Sequence, residues 1–382
     1  MAISFELVTT SAGARAGELQ TDHGLVRTPV FMPVGTQATV KALSPRALEE
    51  MGAQIILANT YHLVLRPGTE IIAQAGGLHE FMSWSRPILT DSGGFQVLSL
   101  ADLRKIDDDG ITFRSHIDGS LHVFTPEFAI EAQAQLGADI VMSFDYCTDF
   151  PCSREEAERA VSLTTDWARR GTGVHGVRFS ANGYERVVFG IVQGSVYPDL
   201  RRRSTEELVE MDFPGYSLGA LSVGEERATT WEMTEVVTSL LPSDKPRYLM
   251  GMGTPLDLVD GVARGVDMFD CVMPTRNARN GTIFTRRGKM ALKNAIYARD
   301  FSPIDSDCEC YTCKNFSKAY LRHLFVVGEI LGPTLATCHS LYFYQQLMRE
   351  MRESIVADRF TKWRSGFVDE FESGTADNAQ SA

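Results

Sequence analysis

Short apolar runs that end on a polar side chain recur along the chain, and segments with helical spacing separate them. Four of these runs stop at a strong hydrogen-bonding residue: Pro87–Thr90 at Asp91, Ile140–Phe144 at Asp145, Val187–Val192 at Gln193, and Val266–Phe269 at Asp270. Amphipathic stretches such as Pro126–Leu136, with Thr125 as N-cap, predict helices between the runs. Strands that alternate with helices through short connections predict a parallel sheet, either open or closed.

One polar group at each strand end, repeated along the chain, is the pattern expected of a barrel enzyme, because barrel active sites lie at the C-terminal ends of the strands. We therefore predict an α/β fold, a (β/α)8 TIM barrel, with residues 1–382 forming a single domain. Residues 1–30 are predicted to form antiparallel strands that cap the barrel floor. The polar tail at 374–382 is predicted to be disordered.

Length and composition exclude some classes of protein. With 382 residues and 44% hydrophobic content, the chain can bury a large core. No apolar run approaches the roughly 18 residues that a membrane span requires. The segment Met1–Gly17 lacks the basic start and apolar centre of a secretory signal. We therefore expect no membrane association and a cytoplasmic location.

The net charge of −12 by itself argues against a nucleic-acid partner, but the charges are unevenly distributed. The segment Cys271–Arg299 has no acidic residue and contains Arg276, Arg279, Arg286, Arg287, Lys289, Lys293 and Arg299. Arg201–Arg203 form a second basic cluster. A local basic face can bind phosphates, because salt screens distant charges beyond about 10 Å. A solvated surface explains the charges equally well.

Cysteines crowd one region of the chain. The sequence Cys308-Glu-Cys310-Tyr-Thr-Cys313, followed by His339, offers three thiolates and one imidazole, a common ligand set for structural zinc. Cys338 competes as the fourth ligand, but its side chain points away from that of its neighbour His339. Four protein ligands leave no open position for water, so we predict one structural zinc ion in a subdomain at 280–345.

The aspartates at the strand ends have an ordinary alternative explanation, because aspartate often caps the helix that follows a strand. Their joint occurrence weakens that explanation. Two carboxylates suit chemistry at an anomeric carbon, where one attacks and the other moves a proton. A carboxylate and an amide together can also read the polar edge of a purine.

These residues lie in motifs that the chain shares with a known family. The motifs are 27–35 (RTPVFMPVG), 59–63 (NTYHL), 90–96 (TDSGGFQ), 189–194 (FGIVQG), 269–276 (FDCVMPTR) and the cysteine cluster. In this order they are highly specific, and they cover nearly the whole chain. The chain resembles tRNA-guanine transglycosylase, the queuine tRNA-ribosyltransferase, in its bacterial form.

The resemblance implies a TIM barrel with a zinc subdomain inserted near the last strand and helix. It implies an enzyme that replaces the guanine at the wobble position of tRNA with 7-aminomethyl-7-deazaguanine. Asp270 matches the nucleophile that attacks the ribose and forms a covalent intermediate. Asp91 matches the acid/base group. Family members form homodimers, so we expect one here.

The resemblance also assigns residues that bind the base and the tRNA. Asp145 and Gln193 match the residues that read the purine edge, and Phe95 and Met250 match the pair that stacks on it. From the residues alone, core packing explains Phe95 and Met250 better. Ala220 and Leu221, with Glu225 nearby, match a loop that presents backbone groups to the base. Arg276 and Arg279 match residues that contact the tRNA.

Three departures from the family pattern affect these assignments. Ala220 stands where a second glycine is usual, and its side chain costs roughly 1 kcal/mol if φ is positive there. Tyr146 replaces the usual glutamate after Asp145. Cys338 and Ser340 flank His339 where a His-Asn ending is more usual.

Three alternatives to the leading hypothesis remain. A non-catalytic tRNA-binding paralogue should have lost Asp91 or Asp270, and both are present. A glycosidase-like barrel acting on small nucleosides would need neither the basic loop nor the zinc insertion. An enzyme with the same chemistry but a different 7-deazaguanine base is supported by Ala220 alone.

Overall fold

The computed structural model describes residues 3–100 and 104–380. These residues contain strands from Ser4 to Ala291. They are β1 Ser4–Ser11, β2 Ala14–Thr21, β3 Gly24–Thr28, β4 Val30–Met32, β5 Ile56–Ala58, β6 Ile88–Thr90, β7 Arg104–Asp107, β8 Gly110–Arg114, β9 Leu121–Phe124, β10 Ile140–Met142, β11 Arg178–Ala181, β12 Tyr184–Val192, β13 Tyr216–Leu218, β14 Arg247–Leu249, β15 Met268–Asp270, β16 Thr282–Thr285 and β17 Gly288–Ala291.

The helices fill most of the intervals between strands. They are α1 Pro45–Glu50, α2 Thr60–Leu65, α3 Thr69–Gln74, α4 Leu78–Met82, α5 Gly94–Leu100, α6 Pro126–Leu136, α7 Arg154–His175, α8 Pro198–Val209, α9 Arg227–Thr238, α10 Pro255–Ala263, α11 Met273–Arg279, α12 Tyr311–Asn315, α13 Lys318–Val327, α14 Leu331–Val356 and α15 Phe360–Gln380, with a 3-10 turn at Ala295–Arg299.

Eight parallel strands form the central barrel, in the order β4-β15-β14-β13-β12-β10-β6-β5. The two end strands meet through a parallel bridge between Val34 and Leu57. There the Leu57 amide donates to Pro33 O at 3.0 Å, and the Gly35 amide donates to Leu57 O. The predicted (β/α)8 barrel is therefore confirmed, and the open sheet is excluded.

Side chains alternate between the inside and the outside of the barrel. On β12, Val187, Phe189 and Ile191 belong to the interior cluster, while Val188 and Val192 pack outward against the helices. The period of two is the geometry of any strand. Because both faces are covered, the barrel strands read as continuous apolar runs in the sequence.

The N-terminal strands β1, β2 and β3 form an antiparallel sheet. Leu19 and Val26 of this sheet belong to the cluster that fills the barrel interior, so the sheet covers the barrel floor. The segment Gly24–Met32, read from the sequence as one strand, is two strands, with Pro29 between them. Proline has no amide hydrogen to continue the ladder, which explains the break.

Histidines tie this sheet to the barrel floor. His23 Nδ1 lies 2.6 Å from Asp139 Oδ1, and His79 Nε2 lies 3.3 Å from Asp139 Oδ2. The two imidazole rings stack 3.7 Å apart at 13°. A metal ion bound by two imidazole nitrogens lies in the plane of each ring, and two stacked, nearly parallel rings have no such position in common. We therefore assign His23, His79 and Asp139 to anchoring the turn that connects β2 and β3.

Two insertions and a C-terminal pair of helices add to the barrel. Strands β7, β8 and β9 form a small sheet that follows β6 and α5, and the sequence pattern did not predict it. Residues 280–345 contain β16, β17, α12, α13 and the first half of α14. The remainder of α14 packs on the barrel, where Gln345 Nε2 donates to Phe31 O at 3.0 Å.

The C-terminal tail lies at the end of α15, and its predicted disorder over 374–382 stays a prediction. Helix α15 extends to Gln380, so 374–380 are helical, and Ser381 and Ala382 lie outside the described residues.

Among the described residues, no helix is both long and apolar enough to cross a membrane.

Candidate active site

A cavity of about 380 Å³ opens at the C-terminal mouth of the barrel. Among the residues predicted from the sequence, the structure brings seven together in its lining: Asp91, Phe95, Asp145, Ala220, Leu221, Met250 and Asp270. Gln193 is fully buried directly behind Asp145. Glu225, Arg276 and Arg279 do not belong to the lining.

Strand alternation places several of these side chains in the barrel mouth. Leu89, Met268 and Tyr248 point into the barrel, so the residues two positions later, Asp91, Asp270 and Met250, point inward above them. Asp145 does not follow this rule, because it lies three residues after the inward Met142. The chain bends beyond β10 to bring it to the cavity.

Asp270 is held by two donors. Its Oδ1 accepts from the Tyr248 hydroxyl at 2.6 Å and from the Gly251 amide at 2.8 Å. Both bonds end on Oδ1, so Oδ2 is the oxygen without a donor among the described residues. Burial raises the pKa of Asp270, and the two hydrogen bonds partly oppose that rise. The carboxyl group is thus fixed in one orientation, with Oδ2 free of hydrogen bonds from the described residues.

Asp91 has a hydrogen-bond donor on each of its two carboxylate oxygens. Its carboxylate accepts from Asn59 Nδ2 and from the Thr60 amide, the latter at 2.8 Å. Burial raises the pKa of Asp91 to about 7, and the charges of Asp270 and Asp145 add to this effect. The donors from Asn59 and Thr60 act in the opposite direction. A carboxyl group with this pKa can both give and take a proton near neutral pH.

Asp145 connects the cavity to Gln193. Its Oδ1 accepts from Ser92 Oγ and its Oδ2 accepts from Gln193 Nε2, each at 2.8 Å. Burial raises the pKa of Asp145 to about 6, while the Ser92 and Gln193 donors lower it. Gln193 Oε1 is buried and has no hydrogen-bond partner among the described residues. Asp145 therefore presents its carboxylate oxygens to the cavity as hydrogen-bond acceptors, and the bonds from Ser92 and Gln193 fix their orientation.

Phe95 and Met250 differ in exposure. Phe95 is 50% exposed on α5 at the edge of the cavity, so core packing does not explain it. Met250 is half-buried and packs against the interior cluster while it lines the cavity. Both present apolar surface to whatever binds there.

The loop after β13 has strained backbone at Ala220, with φ of 47°, and at Ser222, with φ of 61°. Glu225 holds this loop, because its carboxylate accepts from the amides of Ser222 and Val223 and from the Thr230 hydroxyl. The departure at Ala220 thus falls on a left-handed position, where a methyl side chain costs roughly 1 kcal/mol relative to glycine.

Tyr146 is directed away from the cavity. Its hydroxyl donates to Glu156 of α7, and its amide donates to Thr164 Oγ1 at 3.0 Å. The residue that replaces the usual glutamate therefore braces α7 and does not line the cavity.

The basic residues predicted as one face divide into different environments. Arg276 is exposed and Arg279 is half-buried, one helical turn apart on α11, the helix that begins three residues after Asp270. Arg286 instead forms salt bridges with Glu350 at 2.6 Å and with Glu370 at 2.8 Å. Arg201, read as part of a basic cluster, is fully buried, so that interpretation was wrong for this residue.

The metal-ligand cluster assembles as the spacing predicts. His339 Nδ1 lies 3.7 Å from Cys308 Sγ, 3.6 Å from Cys310 Sγ and 3.3 Å from Cys313 Sγ. A tetrahedral zinc ion separates sulfur and nitrogen ligands by about 3.6 Å. His339 Nε2 lies 3.1 Å from Phe284 O, to which it can donate, and this leaves Nδ1 free for a metal. These four residues can therefore hold a metal ion, and Cys338 is not among the clustered ligands.

Comparison with known proteins identifies the family of the chain. A model of the family described as queuine tRNA-ribosyltransferase matches residues 10–373. The chain belongs to the queuine tRNA-ribosyltransferase family. It is therefore a transferase, as the motifs predicted.

The similarity to individual members extends over whole chains. A protein named queuine tRNA-ribosyltransferase from Caldanaerobacter subterraneus subsp. tengcongensis is 58% identical over 372 residues, which are 97% of this chain and 98% of the relative. Proteins of the same name are 54% identical in Pelotomaculum thermopropionicum, over 97% of this chain and 100% of the relative, and 53% identical in Symbiobacterium thermophilum, over 100% and 95%.

The sequence analysis did not predict the groups that hydrogen-bond to the carboxylates of Asp270 and Asp91. Tyr248 fixes Asp270, while Asn59 and Thr60 fix Asp91. The available signal was positional: Tyr248 lies two residues before Met250, and Asn59 ends an apolar run in the same way as the aspartates do.

We expect the purified transferase to contain one zinc ion per chain, measured by inductively coupled plasma mass spectrometry. His339→Ala and Cys310→Ala should each lose the metal, because three ligands bind it far more weakly than four. Cys338→Ser, the matched control at the neighbouring position, should retain it. Loss of zinc from Cys338→Ser together with retention in His339→Ala would reverse the ligand assignment.

We also expect Asp91→Asn to be more stable than the parent chain at pH 8. The folded carboxyl has a pKa of about 7, above the ordinary 3.8, so the folded state keeps a proton that the unfolded chain loses. Stability therefore falls as pH rises from about 4 to about 7. The pKa difference is worth about 4 kcal/mol. An asparagine side chain has one oxygen for the two donors, Asn59 Nδ2 and the Thr60 amide, and the lost hydrogen bond offsets about 2 kcal/mol of that gain. The free energy of unfolding should therefore rise by about 2 kcal/mol at pH 8 and should not rise at pH 4.

Urea unfolding at the two pH values measures this difference. Asp118→Asn is the control of opposite sign, because hydrogen bonds from Ser120 lower the pKa of that exposed carboxyl to about 2. An Asp91→Asn variant that is less stable than the parent at pH 8 would contradict the raised pKa.

Proposed function

We propose that this enzyme exchanges the wobble-position guanine of tRNA for 7-aminomethyl-7-deazaguanine through a covalent aspartyl-ribose intermediate. The observation that carries the proposal is the convergence of Asp91, Asp145 and Asp270 in one cavity at the barrel mouth. Each carboxyl has its own set of donors, which suits three different roles. Support also comes from family relatives whose printed name is queuine tRNA-ribosyltransferase.

In the first half-reaction Asp270 Oδ2 attacks C1′ of the ribose. A bond forms between that oxygen and C1′ while the bond from C1′ to guanine N9 breaks, and the base takes the bonding electrons. Asp91 supplies the proton that neutralises the leaving base. Tyr248 and the Gly251 amide hold Asp270 by Oδ1 and keep Oδ2 directed at the cavity.

The second half-reaction runs in reverse with the new base. Asp91, now ionised, takes the proton from N9 of 7-aminomethyl-7-deazaguanine, and that nitrogen attacks C1′ as Asp270 leaves. The glycosidic bond energy is conserved in the ester, so no energy source is consumed. Because the pKa of Asp91 is about 7, both its protonated form and its ionised form are accessible near neutral pH for this exchange.

Base recognition falls to the other cavity residues. Asp145, oriented by Gln193, accepts from the ring and exocyclic N–H groups of the purine. Phe95 and Met250 stack on the flipped base. The backbone of Ala220 and Leu221 faces its remaining polar groups, and Glu225 acts by holding that loop in shape.

Arg276 and Arg279 contact the tRNA beside the target nucleotide in this proposal. They lie on α11, which begins three residues after Asp270, and Val272 at its start lines the cavity. Burial and the charge of Arg276 lower the pKa of Arg279, and Arg279 Nη1 has no partner among the described residues. A half-buried guanidinium group whose Nη1 has no partner among the described residues suits a phosphate.

The proposal includes a homodimer that acts in the cytoplasm and carries one structural zinc ion per subunit. Large apolar side chains are exposed in the zinc-binding part of the chain: Ile296, Phe301, Tyr311, Val326, Val327 and Ile330. Exposed apolar surface of this kind marks an interaction face. A monomer at micromolar concentration in sedimentation velocity would contradict the dimer.

The direct test is an exchange assay. The protein is incubated with tRNA that carries a guanine wobble base and with 7-aminomethyl-7-deazaguanine, and base replacement is followed by mass spectrometry of the nucleosides. Asp270→Asn should lower the rate at least about a hundredfold, because it removes the nucleophile. Asp244→Asn, at an exposed position, is the control and should exchange normally.

Competing bases separate the alternatives in the same assay. Faster incorporation of another 7-deazaguanine would favour the different entering base that Ala220 suggested. No exchange of any base by the folded, zinc-loaded chain would leave the non-catalytic tRNA-binding role.

The tRNA contact makes a second prediction. The logarithm of the tRNA dissociation constant should rise steeply with the logarithm of salt concentration, because binding releases counterions. Arg276→Ala and Arg279→Ala should each weaken binding and reduce the slope by about 0.7–0.9. Arg169→Ala, an exposed residue paired with Asp166, serves as the control. A salt-independent affinity would contradict the basic contact.

A further inference from the structure

Arg201 is a buried cation whose bonds all go to backbone oxygens. The side chain has no solvent exposure. Its Nε donates to Ser195 O at 2.8 Å, its Nη1 donates to Val192 O at 3.1 Å and to Gly219 O at 2.7 Å, and its Nη2 donates to Ala220 O at 3.0 Å. No carboxylate among the described residues pairs with it. A buried charge is costly, and here the four carbonyl oxygens that accept from the guanidinium offset that cost.

The four carbonyls belong to the ends of two adjacent barrel strands. Val192 and Ser195 flank Gln193 at the end of β12, while Gly219 and Ala220 follow β13. Arg201 therefore fixes the position of the loop after β13 relative to Gln193. The fit is tight, since a Cβ at Gly219 would lie 2.6 Å from Gln193 Nε2.

The backbone at Ala220 explains why one guanidinium reaches two consecutive carbonyls. In an extended chain successive carbonyls point to opposite sides, whereas helical dihedrals of either hand align them. With φ of 47°, Ala220 adopts the left-handed form. The carbonyls of Gly219 and Ala220 then both face Arg201, and the amides of Ala220 and Leu221 point the other way.

That other side is the cavity. The Ala220 amide approaches the Cys147 thiol, and Cys147, Ala220 and Leu221 all line the cavity. Two successive amides that converge on one side form a concave donor site for an oxygen atom. A carbonyl oxygen of the base is the group that such a site would accept.

We propose that Arg201 is a positioning residue for base recognition: by holding four carbonyls it presents the amides of Ala220 and Leu221 to the base and sets their distance from Gln193 and Asp145. This inference rests on the proposed function. Lysine cannot replace it fully, because an ammonium has three donors on a flexible stem and a guanidinium has five in a planar fork.

The experiment measures base exchange for Arg201→Lys and Arg201→Met, with Arg202→Met as the matched control at the exposed neighbouring position. For each variant, zinc content, thermal midpoint and the tRNA dissociation constant are measured beside KM for the base and kcat. Arg201→Lys should raise KM for 7-aminomethyl-7-deazaguanine at least tenfold. Its tRNA affinity should stay within twofold of the parent value and its zinc content should be unchanged. Arg201→Met should have the larger effect on KM.

The outcomes separate this inference from the proposed function. If the parent chain exchanges bases and Arg201→Lys has the parent's KM, Arg201 does not position the base site. If KM, kcat and tRNA affinity change together in proportion to a loss of folded protein, its role is structural, and the inference is also overturned. If the parent chain exchanges no base, the proposed function itself fails. An Arg201→Met chain that does not fold leaves the decision to Arg201→Lys.

Discussion

Burial of three carboxyl groups in one barrel mouth is the constraint on which the rest of the site depends. Carboxylates at this proximity cannot all be ionised at ordinary cost, because burial and mutual repulsion both favour the protonated forms. The protein distributes donors unequally among them: Asn59 and Thr60 on Asp91, Ser92 and Gln193 on Asp145, Tyr248 and Gly251 on Asp270. In the proposed function, this unequal distribution of donors separates the chemical roles of the three carboxyl groups.

The proposed base-binding side of the cavity depends on backbone geometry as much as on side chains. Arg201 holds the loop after β13 from behind, and Glu225 holds it from the far end through the amides of Ser222 and Val223. The loop is therefore clamped at both ends while its middle faces the cavity. The strained dihedral at Ala220 is tolerated because these contacts fix the conformation.

The sequence predicted the barrel and the positions of its candidate catalytic residues because both follow from local periodicity. Asp91 and Asp270 each lie two residues after an inward strand position, so a period of two was enough to place them. Contacts between distant residues could not be read in this way, such as Tyr248 on Asp270. The charge of Arg201 predicted exposure, since only the fold supplies the four carbonyls that make its burial possible.

The central claim is that Asp270 forms a covalent bond to the ribose, and trapping that bond tests it most directly. The protein is mixed with guanine-containing tRNA, quenched in denaturant and separated by gel electrophoresis, and the retarded band is digested and mapped by mass spectrometry. The account predicts a protein–tRNA adduct with the ribose on Asp270, absent from Asp270→Asn. An adduct mapped to Asp91 or Asp145, or exchange that persists in Asp270→Asn, would contradict it.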